Sequence, residues 1–192
     1  MGLFSTIAKF FAPHQHPCEV LVLGLDNSGK TSILNQLKPP DNQLSAVTPT
    51  VGFNVEKFNA ANIAFTAYDM SGQSKYRTLW ETQYKTAHAI IFVVDSTDRL
   101  RMAVARDELW MILDHKDIKA KRIPILVFAN KCDDSRALST PEINISLGLD
   151  VIREHNWNIV QSSAITGQGL VSGIGWLSEQ IKDSVKKENG YT

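Results

Sequence analysis

The amino-acid sequence predicts one α/β domain with a mostly parallel sheet, one antiparallel hairpin at the edge of that sheet, and helices on both faces. Apolar strand-like runs alternate with helix-like stretches along the chain, which is typical of parallel strands joined by helical crossovers. Only the second and third strand-like runs are joined by a short turn, and this predicts the hairpin. A glycine-rich loop follows the first strand. We expect the domain to occupy residues 17–187, with a separate segment at 1–16 and a tail at 188–192.

The predicted strands lie at residues 20–23, 53–58, 63–69, 89–95, 123–129 and 157–161. The first, fourth and fifth are continuously apolar, as expected of strands that are buried on both faces. The second and third flank a turn at 59–62. Because ligands of such sheets bind beyond the carboxyl ends of the parallel strands, the polar residues that follow these strands are candidates for a site.

The predicted helices lie at residues 31–37, 100–115, from 140 onward, and 169–187. Pro39 ends the first helix and Pro141 opens the third, because proline fits the first turn of a helix and disrupts its interior. The second helix is predicted from apolar residues at roughly helical spacing, namely Leu100, Val104, Leu109, Ile112 and Leu113.

Composition narrows the classes of function. The chain has 192 residues, and its 20 basic and 20 acidic side chains cancel, so nothing indicates a nucleic-acid-binding surface. Cys18 and Cys132 match no metal-binding spacing and suit a reducing cytosol, with a single disulfide left open as the alternative. No apolar run approaches the roughly eighteen residues of a membrane span, and the N-terminus lacks a secretory signal. We therefore expect a cytoplasmic protein that binds no nucleic acid.

The loop after the first strand matches the phosphate-binding pattern G-x-x-x-x-G-K-[ST] at residues 24–31. Its backbone N–H groups can surround a phosphate at the N-terminus of the next helix. Lys30 adds a charge for the β- and γ-phosphates, and the Thr31 hydroxyl is a hard ligand for Mg²⁺. A strand, this loop and a helix in series predict a P-loop NTPase. The predicted nucleotide-binding residues of the loop are Gly24, Leu25, Asp26, Asn27, Ser28, Gly29, Lys30, Thr31 and Ser32.

The sequence Asn-Lys-Cys-Asp at residues 130–133 predicts recognition of guanine. The Asp133 carboxylate can accept hydrogen bonds from N1–H and the 2-amino group of guanine, whereas adenine has a donor at neither position. Lys131 can cover one face of the base, and Asn130 can connect this loop to the phosphate loop. Ser163 and Ala164, after the last strand, can offer a backbone N–H to the guanine oxygen.

Two further loops predict sensing and cleavage of the γ-phosphate. Asp69 is placed to hold Mg²⁺ through water, and the Thr50 hydroxyl can complete the metal shell. The Gly72 N–H can approach the γ-phosphate, and Gln73 can orient the attacking water. Asp26 should slow hydrolysis, because its carboxylate crowds the γ-phosphate. The predicted catalytic residues are Gln73, Lys30 and Thr50, and the predicted metal ligands are Thr31, Thr50 and, through water, Asp69.

In this order and over almost the whole chain, these motifs resemble small GTPases of the Arf/Arf-like family. The motifs at residues 24–26 and 49–56 are Arf-like rather than Ras-like. Those at 27–30, 69–73 and 98–102 most resemble the subfamily associated with Bardet–Biedl syndrome. The resemblance implies a GTP/GDP switch with slow hydrolysis, an exchange factor and a GTPase-activating protein. It also implies recruitment of the BBSome coat to membranes for trafficking at the cilium or ciliary base.

The effector-facing surface departs from the usual family pattern. Gln83 and Tyr68 stand where many relatives have tyrosine and tryptophan, respectively. Phe53 and Trp80 are expected to keep the rest of an exposed aromatic cluster, with Tyr84 beside it. Cys132 replaces an aliphatic residue that guanine binding does not need.

The first residues fit M-G-x-x-x-[ST], the pattern for myristoylation at Gly2. Apolar residues, Phe4 and Phe10 among them, share one helical face. The resemblance implies that this helix packs on the domain with GDP and is released to membrane lipid with GTP, as a hairpin slide of two residues closes its groove. A two-residue slide keeps the same side chains facing the core. A helix packed permanently on the domain is the alternative.

Three alternative functions share some or all of these motifs. A small P-loop kinase needs a second substrate site and an arginine-bearing lid, and Arg99, Arg101 and Arg106 lie instead in or beside a predicted helix. A non-hydrolysing GTP-binding scaffold would keep the same motifs. A general Arf-like switch for vesicle or microtubule-related trafficking would differ only in its effector.

Overall fold

A computed structural model describes residues 17–61 and 63–188, with side chains described up to residue 184. The segment that carries Gly2 and the predicted membrane helix lies outside the described residues. Among those that are described, no helix combines the length and hydrophobicity of a membrane span.

The fold is a six-stranded sheet with helices on both faces. The strands occur in the order β2-β3-β1-β4-β5-β6, and every neighbouring pair is parallel except the antiparallel pair β2 and β3 at the edge. This confirms the predicted fold class. The strands are β1 (Cys18–Leu23), β2 (Phe53–Ala60), β3 (Ile63–Met70), β4 (Ala89–Asp95), β5 (Ile125–Asn130) and β6 (Trp157–Gln161).

The α-helices are α1 (Lys30–Leu37), α2 (Met102–Asp114), α3 (Lys116–Lys119), α4 (Thr140–Leu147) and α5 (Leu170–Glu188). Shorter 3-10 helices occur at Pro40–Asn42, Ser74–Gln83, Arg99–Arg101 and Leu149–Val151. A capping box explains why α4 begins where it does: the Ser139 hydroxyl accepts from the Glu142 N–H, and the Glu142 carboxylate accepts from the Ser139 N–H.

The sheet separates two hydrophobic cores, and β1 shows why its sequence is continuously apolar. Leu21 and Leu23 face the core that α2 and α4 cover, whereas Val20 and Val22 face the core that α1 and α5 cover. Because successive side chains of a strand point to opposite faces, both sets must be apolar.

The predicted helix at 100–115 is wrong at its start. A 3-10 turn forms first, with the Asp98 carboxylate accepting the Arg101 N–H at 3.2 Å, and the α-helix begins at Met102. Leu100 lies in this turn and is 95% exposed, and Val104, in the first turn of the α-helix, is also exposed. The buried positions of α2 are Met102, Ala105, Leu109, Ile112 and Leu113.

The expected exposed aromatic cluster is also wrong in part. Trp80 is 2% exposed and Tyr84 4% exposed, and both belong to the core. The Trp80 indole donates to the Ser71 carbonyl at 3.0 Å, so this ring supports the loop after β3 from inside. Phe53 is exposed as predicted, with its ring 6.4 Å from that of Tyr68.

Candidate functional site

The phosphate loop connects β1 to α1 at the carboxyl edge of the sheet and lines a cleft of about 280 Å³. Gly24 has a φ of 136°, and a Cβ there would lie 2.2 Å from the Val93 carbonyl oxygen, so only glycine fits between the loop and β4. Gly29, with a φ of 95°, starts α1. The cleft is lined by Asp26, Asn27, Gly29, Lys30, Thr31, Ser32, Val47, Thr48, Pro49, Thr50, Ser71, Gly72 and Gln73.

Lys30 is buried beneath this loop. Its ammonium donates to the carbonyls of Gly24 at 2.9 Å and Leu25 at 2.7 Å, which holds the side chain along the loop and leaves one donor for a ligand. Burial lowers the pKa of Lys30 to about 8. The nearby carboxylates of Asp69 and Asp26 favour the charged form and oppose this effect. A phosphate group placed here would further favour the charged form of Lys30.

Three side-chain oxygens from distant parts of the chain meet beside the cleft. The Thr31 hydroxyl lies 2.6 Å from Asp69 Oδ2, the Thr50 hydroxyl lies 3.1 Å from the same oxygen, and the two hydroxyls are 2.9 Å apart. These are the three side chains that the sequence predicts as metal ligands. The structure therefore brings together residues from the phosphate loop, the loop before β2, and the end of β3.

The donor set fits Mg²⁺ bound largely by phosphate and water. Asp69 is fully buried, and its second oxygen, Oδ1, has no hydrogen-bond partner. Burial raises the pKa of this carboxyl, against the hydrogen bonds from Thr31 and Thr50, which favour the charged form. Within residues 17–61 and 63–188 no cluster of three or more His, Cys, Asp or Glu forms a metal site. Mg²⁺ characteristically needs only one or two protein oxygens when phosphates supply the rest.

Gly72 and Gln73 close the same end of the cleft. A Cβ on Gly72 would lie 2.3 Å from the Asp26 backbone nitrogen, so the absence of a side chain allows this loop to touch the phosphate loop. Gln73 lines the cleft and is half-buried, and its N–H lies 3.5 Å from the Ser71 hydroxyl. The predicted γ-phosphate-sensing residues therefore lie beside Asp26 and Lys30.

Asn130 connects the two nucleotide loops, as predicted. Its buried amide donates to the Ser28 carbonyl at 2.8 Å, and its side-chain oxygen accepts the Ala164 N–H at 3.1 Å. Asn130 ends β5, next to Asp95 at the end of β4. One side chain thus joins the phosphate loop to both loops that are predicted to hold the base.

The remaining residues that the sequence predicts to bind the base lie at the same edge. Lys131, in the left-handed region with a φ of 66°, forms an ion pair of 2.6 Å with Asp95, whose other oxygen accepts two bonds from Thr97. This pairing fixes the lysine stem and lowers the pKa of Asp95 against the effect of burial. Asp133 is exposed, and no described residue donates a hydrogen bond to its side chain, so both oxygens can face a ligand.

In the loop at Ser163 and Ala164, more backbone N–H groups already have hydrogen-bond partners within the protein than the sequence suggests. The Ser163 N–H donates to the Gln168 carbonyl, and the Ala164 N–H donates to Asn130. The Ser163 hydroxyl accepts from the N–H groups of Ile165 and Thr166. A guanine oxygen at this loop would therefore share the Ala164 N–H with Asn130 rather than meet a free donor.

The structure adds a contact that motif analysis missed. Arg101, from the 3-10 turn before α2, forms an ion pair with Asp26 of the phosphate loop at 3.1 Å. The two residues are 75 positions apart and belong to different motifs, so only the packing of α2 against the loop reveals the pair.

Comparison with known proteins agrees with this geometry. Residues 4–181 match the ADP-ribosylation factor family. The chain is 50% identical to ADP-ribosylation factor-like protein 6 of Danio rerio, over 95% of this chain and 98% of that protein, and 39% identical to ADP-ribosylation factor-like protein 5A of Homo sapiens, over 94% and 97%. A solved structure described as the Arl6 BBS3 small GTPase from Trypanosoma brucei with bound nucleotide analogue GppNp superimposes with a TM-score of 0.82. The Trypanosoma brucei chain is 41% identical to the present one, and the superposition covers 88% of the present chain and 99% of the Trypanosoma brucei chain.

Proposed function

The chain belongs to the ADP-ribosylation factor family of small GTPases, which bind GTP and GDP and hydrolyse GTP, and we propose that it recruits the BBSome coat to membranes for trafficking to or in cilia. Membership of the family makes the protein an Arf-like GTP/GDP switch. The role at the BBSome is supported by the motif resemblance and by similarity to a solved structure described as Arl6 BBS3.

The observation that carries the proposal is the contact between Thr50 and the cleft. The Thr50 hydroxyl lies within 3.1 Å of both Thr31 and Asp69, so the loop before the hairpin is held at the predicted metal site. Two residues later, the Gly52 carbonyl accepts the Ser71 N–H at 2.9 Å. A ligand that attracts or releases Thr50 would therefore move the start of the hairpin.

The hairpin start carries the surface that such a movement would present. Val51 is 72% exposed, and Phe53 and Val55 are also exposed beside the cleft. Exposed apolar groups of this kind often mark protein interaction sites. Because Trp80 is buried, we assign the effector surface to these three side chains rather than to an aromatic cluster that includes Trp80.

The site residues have the following proposed roles. Lys30 binds the β- and γ-phosphates, and Thr31, Thr50 and, through water, Asp69 hold Mg²⁺, which when bound would neutralise phosphate charge. Gln73 orients the attacking water, and Gly72 donates its N–H to the γ-phosphate. The guanine base is held by Asn130, Lys131, Asp133, Ser163 and Ala164.

The membrane part of the proposal rests on the sequence of the first residues, which lie outside the described part of the chain. A segment at 1–16, acylated at Gly2, would attach to lipid, the GTPase domain would span 17–187, and 188–192 would form a tail. One acyl chain gives only marginal membrane affinity, so the apolar face would supply the second attachment.

A binding experiment with purified BBSome tests the effector. The full chain, loaded with GppNp or with GDP, is immobilised and exposed to the coat, and a Val55→Ser variant is compared with Ile145→Ser, a more exposed apolar position on α4. We expect capture with GppNp, little with GDP, and loss in Val55→Ser alone. Equal capture in both nucleotide states, or none in either, would refute the BBSome assignment and favour a general Arf-like trafficking switch.

A further inference from the structure

Asp26 and Arg101 connect the phosphate loop to the turn before α2 by two contacts. The Arg101 guanidinium approaches the Asp26 carboxylate at 3.1 Å through Nη1 and donates to the Asp26 backbone carbonyl at 3.3 Å through Nη2. The arginine therefore engages both the side chain and the backbone of one loop residue. None of the nucleotide motifs includes Arg101.

Arg101 is itself held in a fixed orientation. Its Nε donates to Asp98 Oδ2 at 2.5 Å, and its backbone N–H donates to Asp98 Oδ1. A guanidinium is planar, so using Nε on one carboxylate determines where its two terminal nitrogens point. They point at Asp26.

Asp26 lies at the γ-phosphate end of the cleft. It shares the cleft lining with Lys30, Thr50 and Gln73, and its backbone nitrogen is the atom that the Gly72 Cβ position approaches. A carboxylate at this end would repel a third phosphate group far more than it would repel a diphosphate, which ends short of it. The sequence alone predicts this repulsion, and the structure shows that the Arg101 guanidinium lies beside the Asp26 carboxylate.

We propose that Arg101 is a positioning residue for the γ-phosphate: it turns the Asp26 carboxylate toward α2 and compensates its charge, so that the cleft admits a triphosphate. Arg101 then sets the preference of the protein for GTP over GDP without touching the nucleotide. This inference rests on the proposed nucleotide site. It assigns a role to a residue outside that site.

Equilibrium binding of GppNp and GDP to the full chain tests the proposal. The set comprises wild type, Arg101→Ala, Asp26→Ala and the double variant, with Arg99→Ala as the matched control. Arg99 belongs to the same 3-10 turn, is more exposed, and faces Glu142 instead of the cleft. The measured quantity is the ratio of the GppNp and GDP dissociation constants, which a general loss of structure would not change.

Arg101→Ala should weaken GppNp relative to GDP by about two- to fivefold, a range set by the partial exposure of the pair. Arg99→Ala should leave the ratio unchanged. In the Asp26→Ala background, removing Arg101 should change the ratio by less than about twofold, because the charge to be compensated is absent.

Three outcomes would overturn the proposal: an unchanged ratio in Arg101→Ala, equal weakening of both nucleotides, or the same shift with and without Asp26. The last would mean that Arg101 acts on the phosphate directly. Failure of wild type to bind GppNp would refute the nucleotide site itself and is distinguishable from these three.

Discussion

The Asn130 amide donates to the Ser28 carbonyl at 2.8 Å across 102 residues, so the loop predicted to read the base and the loop predicted to hold the phosphates are one connected unit. The contact is tight: a Cβ on the intervening Gly29 would lie 2.2 Å from the same amide nitrogen. A base and its phosphates can therefore be held at a fixed distance.

Asn130→Ala should weaken the connection between these two loops. The substitution leaves the Ser28 carbonyl and the Ala164 N–H without their partner, and we expect a loss of about 1–3 kcal/mol in the free energy of unfolding. Dissociation of a fluorescent GDP should accelerate. Asn156→Ala, which removes a surface bond to Gln180, is the control and should change neither quantity. An Asn130→Ala protein with wild-type stability and GDP release would contradict the coupling.

Asp133→Asn should change the base that the protein accepts. An amide can donate to the 2-oxo group of xanthine, so affinity for GTP should fall on the order of a hundredfold while xanthosine triphosphate gains. Asp134→Asn is the neighbouring control, because Asp134 pairs with Arg136 instead. Competition binding with GTP, xanthosine triphosphate and ATP gives the comparison. Wild-type protein that bound ATP as well as GTP would refute the assignment of Asp133.

Gln73→Leu should hold the protein in its GTP form. Leucine cannot orient water, so single-turnover hydrolysis should slow by at least about tenfold, or 1.4 kcal/mol in the barrier. Gln83 lies at the far end of the 3-10 helix that follows Gln73, and the Gln83→Leu variant should hydrolyse GTP at the wild-type rate. Equal rates in wild type and Gln73→Leu would remove Gln73 from the mechanism.

His155 should make stability depend on pH. It is buried, its Nδ1 lies 2.9 Å from the Ile123 carbonyl, and its Nε2 has no partner. Burial lowers the pKa of His155, against the Ile123 carbonyl and the nearby Glu154, which favour the charged form. Because the unfolded chain takes up this proton near pH 6.5 and the folded chain only at lower pH, the free energy of unfolding should decrease as pH falls below about 6.5.

Urea denaturation between pH 5 and 8 measures this effect. The pH dependence should be smaller in His155→Gln than in wild type, whereas His88→Gln, at an exposed position, should behave like wild type. An identical slope in His155→Gln and wild type would mean that other groups carry the pH dependence.

Local patterns predicted most of the fold and of the site because their causes are local. The apolar run of β1 reflects burial on both faces, and Thr31, Asp69 and Asn130 lie at or just beyond the carboxyl ends of strands that meet at one edge. The contacts that the sequence analysis did not predict depend on tertiary packing. The Asp26–Arg101 pair forms only when α2 packs beside the phosphate loop.

Exposure was the least predictable property. Trp80 was expected at the surface, yet its ring fills the core and its indole supports Ser71, a role that no local pattern indicates. Leu100 was expected in the core, but a 3-10 turn capped by Asp98 shifts the start of the helix. Both differences depend on tertiary packing and on a local capping contact, which the spacing of apolar residues does not report.

We propose that GTP gates attachment of this protein to a membrane. Flotation of the full chain, acylated at Gly2, with liposomes tests this gating directly, in the GppNp and GDP forms. Burying Phe4 and Phe10 in lipid would contribute on the order of 1.5–3 kcal/mol each, so Phe4→Ser/Phe10→Ser should not float, whereas Ile145→Ser should behave like wild type. GppNp-loaded protein should float, and GDP-loaded protein should remain below. Equal flotation in both nucleotide states would contradict gating by GTP.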